Sequence, residues 1–240
     1  MDKRPLLLLH GSLGDLTQLE SLVPQLEEHA ELHRMDFEGH GESAVPNSPF
    51  RIGYFVENVL GYMDEHGLDT IDIFGYSMGG YVALCLAKEY PQRIRRVATL
   101  GTVLQWTAEV ARRECRYLHP GKITEKVPHF AEQLKERHSG DWERVVNRTR
   151  DMMEYLGTHP FIQPGDWQGI KQKVRLHIGD RDTTAGLDDT LEVYKMMDYA
   201  ELAVLPRTGH PITEVNHSML VSSLIDFFRE RKKPGENDRA

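Results

Sequence analysis

The stretch FGYSMGGY, Phe74–Tyr81, sets one serine among three glycines inside an otherwise apolar run. The residues leading into it, TIDIF (70–74), read as a buried strand. Those that follow, YVALCLAKEY (81–90), read as a helix. Ser77 therefore falls on the corner between the two, in G-Y-S-M-G, which fits G-x-S-x-G. A serine on a sharp strand-to-helix turn is held out as a nucleophile, and the flanking glycines keep side chains clear of the turn. The pentapeptide alone also fits a close-packed turn, or a helix N-terminus that holds phosphate.

Outward from this corner the chain alternates. Six short apolar runs, 6–10, 31–36, 70–75, 96–101, 173–179 and 201–206, read as strands. They are continuous rather than alternating, which suits parallel strands covered on both faces. Between them, 16–29, 51–66, 78–90 and 186–197 read as helices. A last helix over 213–230 places Val215, Met219, Leu220, Leu224, Phe227 and Phe228 on roughly one face. The expectation is α/β: a doubly wound, mostly parallel six-stranded sheet.

One interval breaks the alternation. From Leu104 to Pro164 no strand pattern occurs, only the charged amphipathic segments TAEVARRECRYL, ITEKVPHFAEQLKERH and DWERVVNRTRDMMEYL. Sixty residues without structure do not fit a compact domain, so this is read as a helical insertion in three pieces, punctuated at Pro120-Gly121 and Ser139-Gly140. The expected division is a core of residues 1–103 and 165–232, an insertion of 104–164 and a flexible tail of 233–240.

The 29 Lys and Arg against 37 Asp and Glu give a formal charge of −8, which argues against an electrostatic nucleic-acid binder. Two cysteines, Cys85 and Cys115, cannot make a disulfide framework, and a reduced, cytoplasmic protein fits them best. The run LLLL (6–9) is far too short for a signal segment or a membrane span. A small-molecule partner is expected, with no nucleic acid and no membrane; the sequence leaves the oligomeric state open.

In an open α/β sheet, ligands meet the loops at the carboxyl ends of the strands. Those loops here carry His10-Gly11-Ser12-Leu13-Gly14, DFEGHGES (36–43), Ser77, Gly101-Thr102, Gly179-Asp180-Arg181-Asp182 and Thr208-Gly209-His210-Pro211. A hydroxyl is a poor nucleophile at neutral pH until a histidine takes its proton. That histidine in turn needs a carboxylate to fix its tautomer and stabilise the imidazolium. Serine, aspartate and histidine stand in that order, each just beyond a different strand. The amide of Met78, first in its helix, has no intrahelical acceptor and points where negative charge would develop, as half of an oxyanion hole. His119, His129, His138, His159, His177 and His217 show no metal-site spacing and read as surface or insertion residues; neither a metal nor a cofactor is expected.

The HGSLG loop, DFEGHGES, the GYSMGG corner, and GDRD followed by TGH together resemble the α/β-hydrolase superfamily over nearly the whole chain. The resemblance implies Ser77 as nucleophile, His210 as general base and Asp182 as acid, with Asp180 as the competing carboxylate. It also implies the amide of Ser12 as second oxyanion donor and structural roles for His10 and His40. The sheet then lacks the two strands that usually precede the HG strand, and the insertion falls where such proteins carry a helical lid.

Three functions follow. The first is a serine hydrolase acting on an ester or thioester of a small carboxylic acid through an acyl-enzyme. The second is a lyase or carbon–carbon bond hydrolase with the same three residues. The corner also resembles that of a menaquinone-pathway synthase, in which an arginine that helps bind an anionic substrate stands where this chain has Tyr81, and that of cofactor-free perhydrolases. The third is a hydrolase-like binding module with little turnover. Trp106, Trp142, Met152, Met153 and Tyr155 are expected to form the core of the insertion rather than an acyl pocket.

Overall fold

The six apolar runs become the six strands of one sheet in the computed structural model, which describes residues 3–138 and 141–229. They are β1 (Pro5–Leu9), β2 (Glu31–Arg34), β3 (Ile71–Tyr76), β4 (Ile94–Leu100), β5 (Lys173–Gly179) and β6 (Ala200–Leu205). The order across the sheet is β2-β1-β3-β4-β5-β6, and every neighbouring pair is parallel. Chain order reverses beside β1 and β3, and ligands bind at such a crevice in this architecture.

Continuous apolar strands follow from cover on both faces. In β1, Leu7 and Leu9 join one core cluster while Leu6 and Leu8 join the other. Successive side chains of a strand point to opposite faces, so both faces of β1 are dry. The helices α2 (Ile52–Glu65) and α3 (Met78–Glu89) supply the first cluster, through Phe55, Val59, Val82 and Leu86. The second is covered by α1 (Val23–Leu26) and by the helix nearest the C-terminus, His217–Phe228, through Leu26, Leu220 and Leu224.

Among the described residues, four α-helices run between β4 and β5: α4 (Ala108–Cys115), α5 (Pro120–Lys126), α6 (Pro128–Arg137) and α7 (Trp142–Leu156). The middle expected piece is split, because Pro128 has no N–H to donate and forces Val127 out of the helical region, to φ −139° and ψ 62°. The expected break at Ser139-Gly140 and the expected tail at 233–240 lie outside the described residues. Trp142, Val145 and Met152 join the same cluster as Leu7 and Leu9, so the insertion packs into the main core. After β5 come α8 (Leu187–Met196) and, beyond β6, α9 (His217–Phe228).

Two helical expectations are corrected. Residues 16–29 form turns, a short 3-10 segment (Glu20–Leu22) and the single turn α1, because Pro24 cannot donate to the carbonyl of Glu20. The helix expected over 213–230 is a 3-10 turn (Ile212–Glu214) followed by α9, which begins when the Asn216 side chain accepts the Met219 amide at 3.1 Å. Val215 precedes this helix, and Met219 is exposed rather than on the apolar face. No helix among the described residues is long and apolar enough to cross a membrane.

Candidate active site

Ser77 links β3 to α3 with φ 51° and ψ −115°, backbone angles that an L-residue holds only at a cost of about 1–3 kcal/mol. The fold over-determines it. The Ser77 N–H donates to the Leu100 carbonyl at 2.8 Å, and its carbonyl accepts from the Gly80 amide at 3.0 Å and the Thr102 hydroxyl at 3.1 Å. A Cβ on Gly75 would collide with the backbone of Gly79, and one on Gly79 would lie 2.5 Å from the Leu9 carbonyl oxygen. The first turn of α3 thus lies directly against the end of β1, where a side chain at either position would hold it off.

The structure brings Ser77, His210 and Asp182 together. Ser77 Oγ is 3.3 Å from His210 Nε2, and His210 Nδ1 is 2.9 Å from Asp182 Oδ2. The other oxygen of Asp182 accepts the amides of Thr184 and Ala185, each at 2.9 Å. Burial alone would raise this carboxyl, but the hydrogen bond and charge of His210 with the two amides outweigh it and hold the pKa below the ordinary value. A carboxylate bound this way makes Nδ1 the protonated nitrogen and leaves Nε2 to accept from the serine. The competing Asp180 faces elsewhere, its Oδ1 accepting the Thr208 amide at 3.0 Å.

The HGSLG loop lies beside the serine: a Cβ on Gly11 would sit 3.2 Å from Ser77 Cβ. Ser12 and Met78 both line the cavity into which Ser77 and His210 open. His10 and His40 brace the loop rather than face the cavity. His10 Nδ1 donates to the Gly11 carbonyl at 2.8 Å, and Nε2 accepts the Phe37 amide at 3.2 Å. Burial pushes this imidazole down to about 4, so it stays neutral. His40, fully buried, packs between His10 and His138.

One histidine expected at the surface or in the insertion, His177, is corrected, and His138 lies in the insertion but is buried. His177 is a core residue of β5, its Nδ1 donating to the Thr99 carbonyl at 2.9 Å and its Nε2 accepting from Ser223 at 2.8 Å. His138, at the end of α6, is buried against the HGSLG loop. Its Nε2 donates to the Leu13 carbonyl at 3.2 Å and its Nδ1 accepts the Gly41 amide at 3.1 Å. Arg137 Nη1 donates to the same carbonyl at 2.8 Å. Leu13 itself is left-handed, at φ 59°. Sequence reasoning missed these two supports, which act across more than a hundred residues of chain. It also missed Tyr76, whose hydroxyl donates to the His210 carbonyl at 2.9 Å; its place beside Ser77 was the available signal.

The cavity measures about 690 Å³. Its wall combines Trp106, Leu118, Phe130, Met152 and Leu156 with the polar residues of the HGSLG side. Of the aromatic and sulfur residues expected as insertion core, Trp142 and Met152 are core, Met152 also lining the cavity, while Trp106 and Met153 line the cavity. Tyr155 does neither: it is exposed, stacked on His159 with the Arg51 guanidinium over its ring.

With this geometry in view, the family match has a physical basis. A sequence model of the alpha/beta hydrolase fold matches residues 4–146, and the chain belongs to that family. Among curated proteins, it is 32% identical over 146 residues to a pimeloyl-[acyl-carrier protein] methyl ester esterase of Edwardsiella ictaluri, spanning 61% of this chain and 50% of that one. It is 26% identical to a putative 2-succinyl-6-hydroxy-2,4-cyclohexadiene-1-carboxylate synthase of Bacillus subtilis, over 92% of this chain and 88% of the relative. Matches to the first of the curated relatives span half or less of those proteins' own length. Among solved structures, a 2-hydroxy-6-oxo-6-phenylhexa-2,4-dienoate hydrolase from Rhodococcus sp. strain RHA1 superimposes with a TM-score of 0.76 at 28% identity, covering 95% of this chain and 91% of that one.

Proposed function

We propose that this chain is a serine hydrolase that cleaves an ester or thioester of a small carboxylic acid through an acyl-enzyme intermediate. The observation that carries the reading is the hydrogen-bonded series Ser77–His210–Asp182, drawn from three strand ends and opening into a cavity of about 690 Å³.

In this reading His210 Nε2 takes the proton of Ser77 as Oγ attacks the acyl carbon. The Ser77–His210 separation of 3.3 Å is loose, as unliganded sites often are before substrate draws them in. Asp182 keeps the imidazolium oriented and compensated. The amides of Ser12 and Met78 receive the oxyanion, each such donor contributing about 2.7–4 kcal/mol of transition-state stabilisation. His210 then protonates the departing alcohol or thiol, and deprotonates a water that releases the acid. The four helices over 104–164 act as a lid that keeps solvent from the acyl group. An active-site fluorophosphonate should label the native protein at Ser77; equal labelling of Ser77→Ala would reject the assignment.

A second reading, elimination or carbon–carbon cleavage with the same three residues, draws support from the synthase-like relative aligned over 92% of the chain. The fold does not choose between them. Against the synthase reading, the Tyr81 hydroxyl accepts the Ile162 amide at 3.1 Å, so this position supplies hydrophobic wall rather than a cation. Robust turnover of short-chain 4-nitrophenyl esters favours hydrolysis. Labelling without ester turnover favours the second reading.

A further inference from the structure

We infer that the cavity wall beside residues 11–13 is a carboxylate-binding subsite, so that the ester cleaved here carries a second, free carboxylate; this rests on the hydrolase reading above. Three polar side chains are anchored to three consecutive residues of that loop. The Gly11 amide donates to Gln18 Oε1 at 2.7 Å, which fixes the side-chain amide and leaves Nε2 as its unused end. Ser12 Oγ is buried and has no hydrogen-bond partner. Arg137 Nη1 holds the Leu13 carbonyl at 2.8 Å, and its Nε lies 3.4 Å from Asp15. Gln18 Nε2 and Arg137 Nη2 make no hydrogen bond among the described residues. All three residues line the cavity that holds Ser77 and His210.

Unused donors gathered on one wall call for an acceptor, and a buried hydroxyl without a partner is an unmet hydrogen bond. Their chemistry selects a carboxylate. Among the described residues that line the cavity, Arg137 is the only lysine or arginine, and its planar guanidinium offers paired N–H groups to two oxygens. Its own bonds to Leu13 and Asp15 hold it in place, so little ordering remains to be done when a ligand arrives. Glu114, the one acidic lining residue among those described, already accepts from Arg113 Nε at 2.9 Å. The apolar lining residues, among them Trp106, Phe130 and Met152, accept the apolar part of the substrate.

The test compares 4-nitrophenyl hydrogen glutarate with 4-nitrophenyl methyl glutarate, which differ in one charge. The native protein should prefer the acid by on the order of tenfold in kcat/KM, mainly through KM, and added salt should erode that preference. Arg137→Met should bring the ratio to about one, whatever it does to the absolute rates, and Arg137→Lys should restore part of it. A ratio near one in the native protein would overturn the subsite. So would an Arg137→Met variant that loses rate equally on both esters, since the arginine would then serve only to hold Leu13. Binding gives a readout that needs no turnover. Monomethyl glutarate should bind Ser77→Ala more tightly than dimethyl glutarate does, and lose that advantage in the Ser77→Ala, Arg137→Met double variant. Equal binding would overturn the subsite even where esters are turned over. Failure of fluorophosphonate labelling would instead strike the hydrolase reading and leave the binding result standing.

Discussion

His210 Nδ1 lies 2.9 Å from Asp182 Oδ2, and the carboxylate's other oxygen is tied to two backbone amides. The acid is therefore held from both sides, and it presents one oxygen to one ring nitrogen. Asp182→Asn keeps the shape but offers an amide that favours the wrong tautomer of the imidazole. Ester turnover should fall on the order of 10⁴-fold while the thermal midpoint moves little. Asp180→Asn, which changes an exposed turn bond to Thr208, should keep most of the rate. A larger loss at Asp180 than at Asp182 would reverse the assignment.

The corner glycines give a stability prediction rather than a kinetic one. In Gly79→Ala the new Cβ would meet the Leu9 and His10 carbonyl oxygens at 2.5 and 2.6 Å. Both are backbone atoms at the end of a central strand and cannot swing aside, so the first turn of α3 must shift. Overpacking of this kind costs about 1–3 kcal/mol, visible as a lower urea midpoint. Gly61→Ala, on α2 with open space around it, should instead be neutral or slightly stabilising.

His138 is a positioning residue for the HGSLG loop, and its removal should separate kcat from KM. It joins the Leu13 carbonyl to the Gly41 amide, and Leu13 holds a left-handed conformation that it would leave if released. The amide of Ser12 is one residue away, so its aim depends on that hold. His138→Ala should lower kcat on the order of tenfold, about 1.4 kcal/mol, with KM nearly unchanged. His138→Gln, which can both donate and accept, should recover part of the loss. Equal changes in kcat and KM across both variants would point to a general loosening of the cavity instead.

What the sequence made legible was governed by local rules. Six apolar runs, a glycine-flanked serine and polar residues just past strand ends were enough to define the sheet, because parallel strands buried on both faces leave a continuous hydrophobic signature. The same logic put a serine, an aspartate and a histidine at three strand ends. The family resemblance then singled out His210, and Asp182 over Asp180, as the partners of Ser77, which the hydrogen bonds bring together. It failed where one residue overrides a pattern: Pro24 and Pro128 each remove a donor and break helices that amphipathic spacing alone continues. It failed also for His138 and Arg137. Their spacing matches an ordinary solvated helix end, and nothing in α6 announces a loop 124 and 125 residues earlier in the chain. His177 was misread for a related reason, since a polar residue inside an apolar strand looks exposed until its two partners, Thr99 and Ser223, are known.

Those buried imidazoles set the response to acid. His10 and His177 are fully enclosed, and burial pushes each down to about 4, against an ordinary value of 6.5 that the unfolded chain regains. Between the two values the unfolded state binds protons that the folded state refuses. Stability is therefore complete above about pH 6.5 and is lost as the pH falls toward 4, by up to about 3 kcal/mol for each histidine. The hydrogen bonds agree with this direction: in each ring one nitrogen donates to a carbonyl, and the other accepts and has no room for a second proton. Urea unfolding measured from pH 7.5 to 4.5 should show a falling midpoint. His177→Gln can keep both bonds without titrating, so its curve should start lower and fall less steeply. Parallel curves for the native protein and this variant would mean that His177 takes up its proton within the folded state, and that its enclosure in β5 is looser than its contacts indicate.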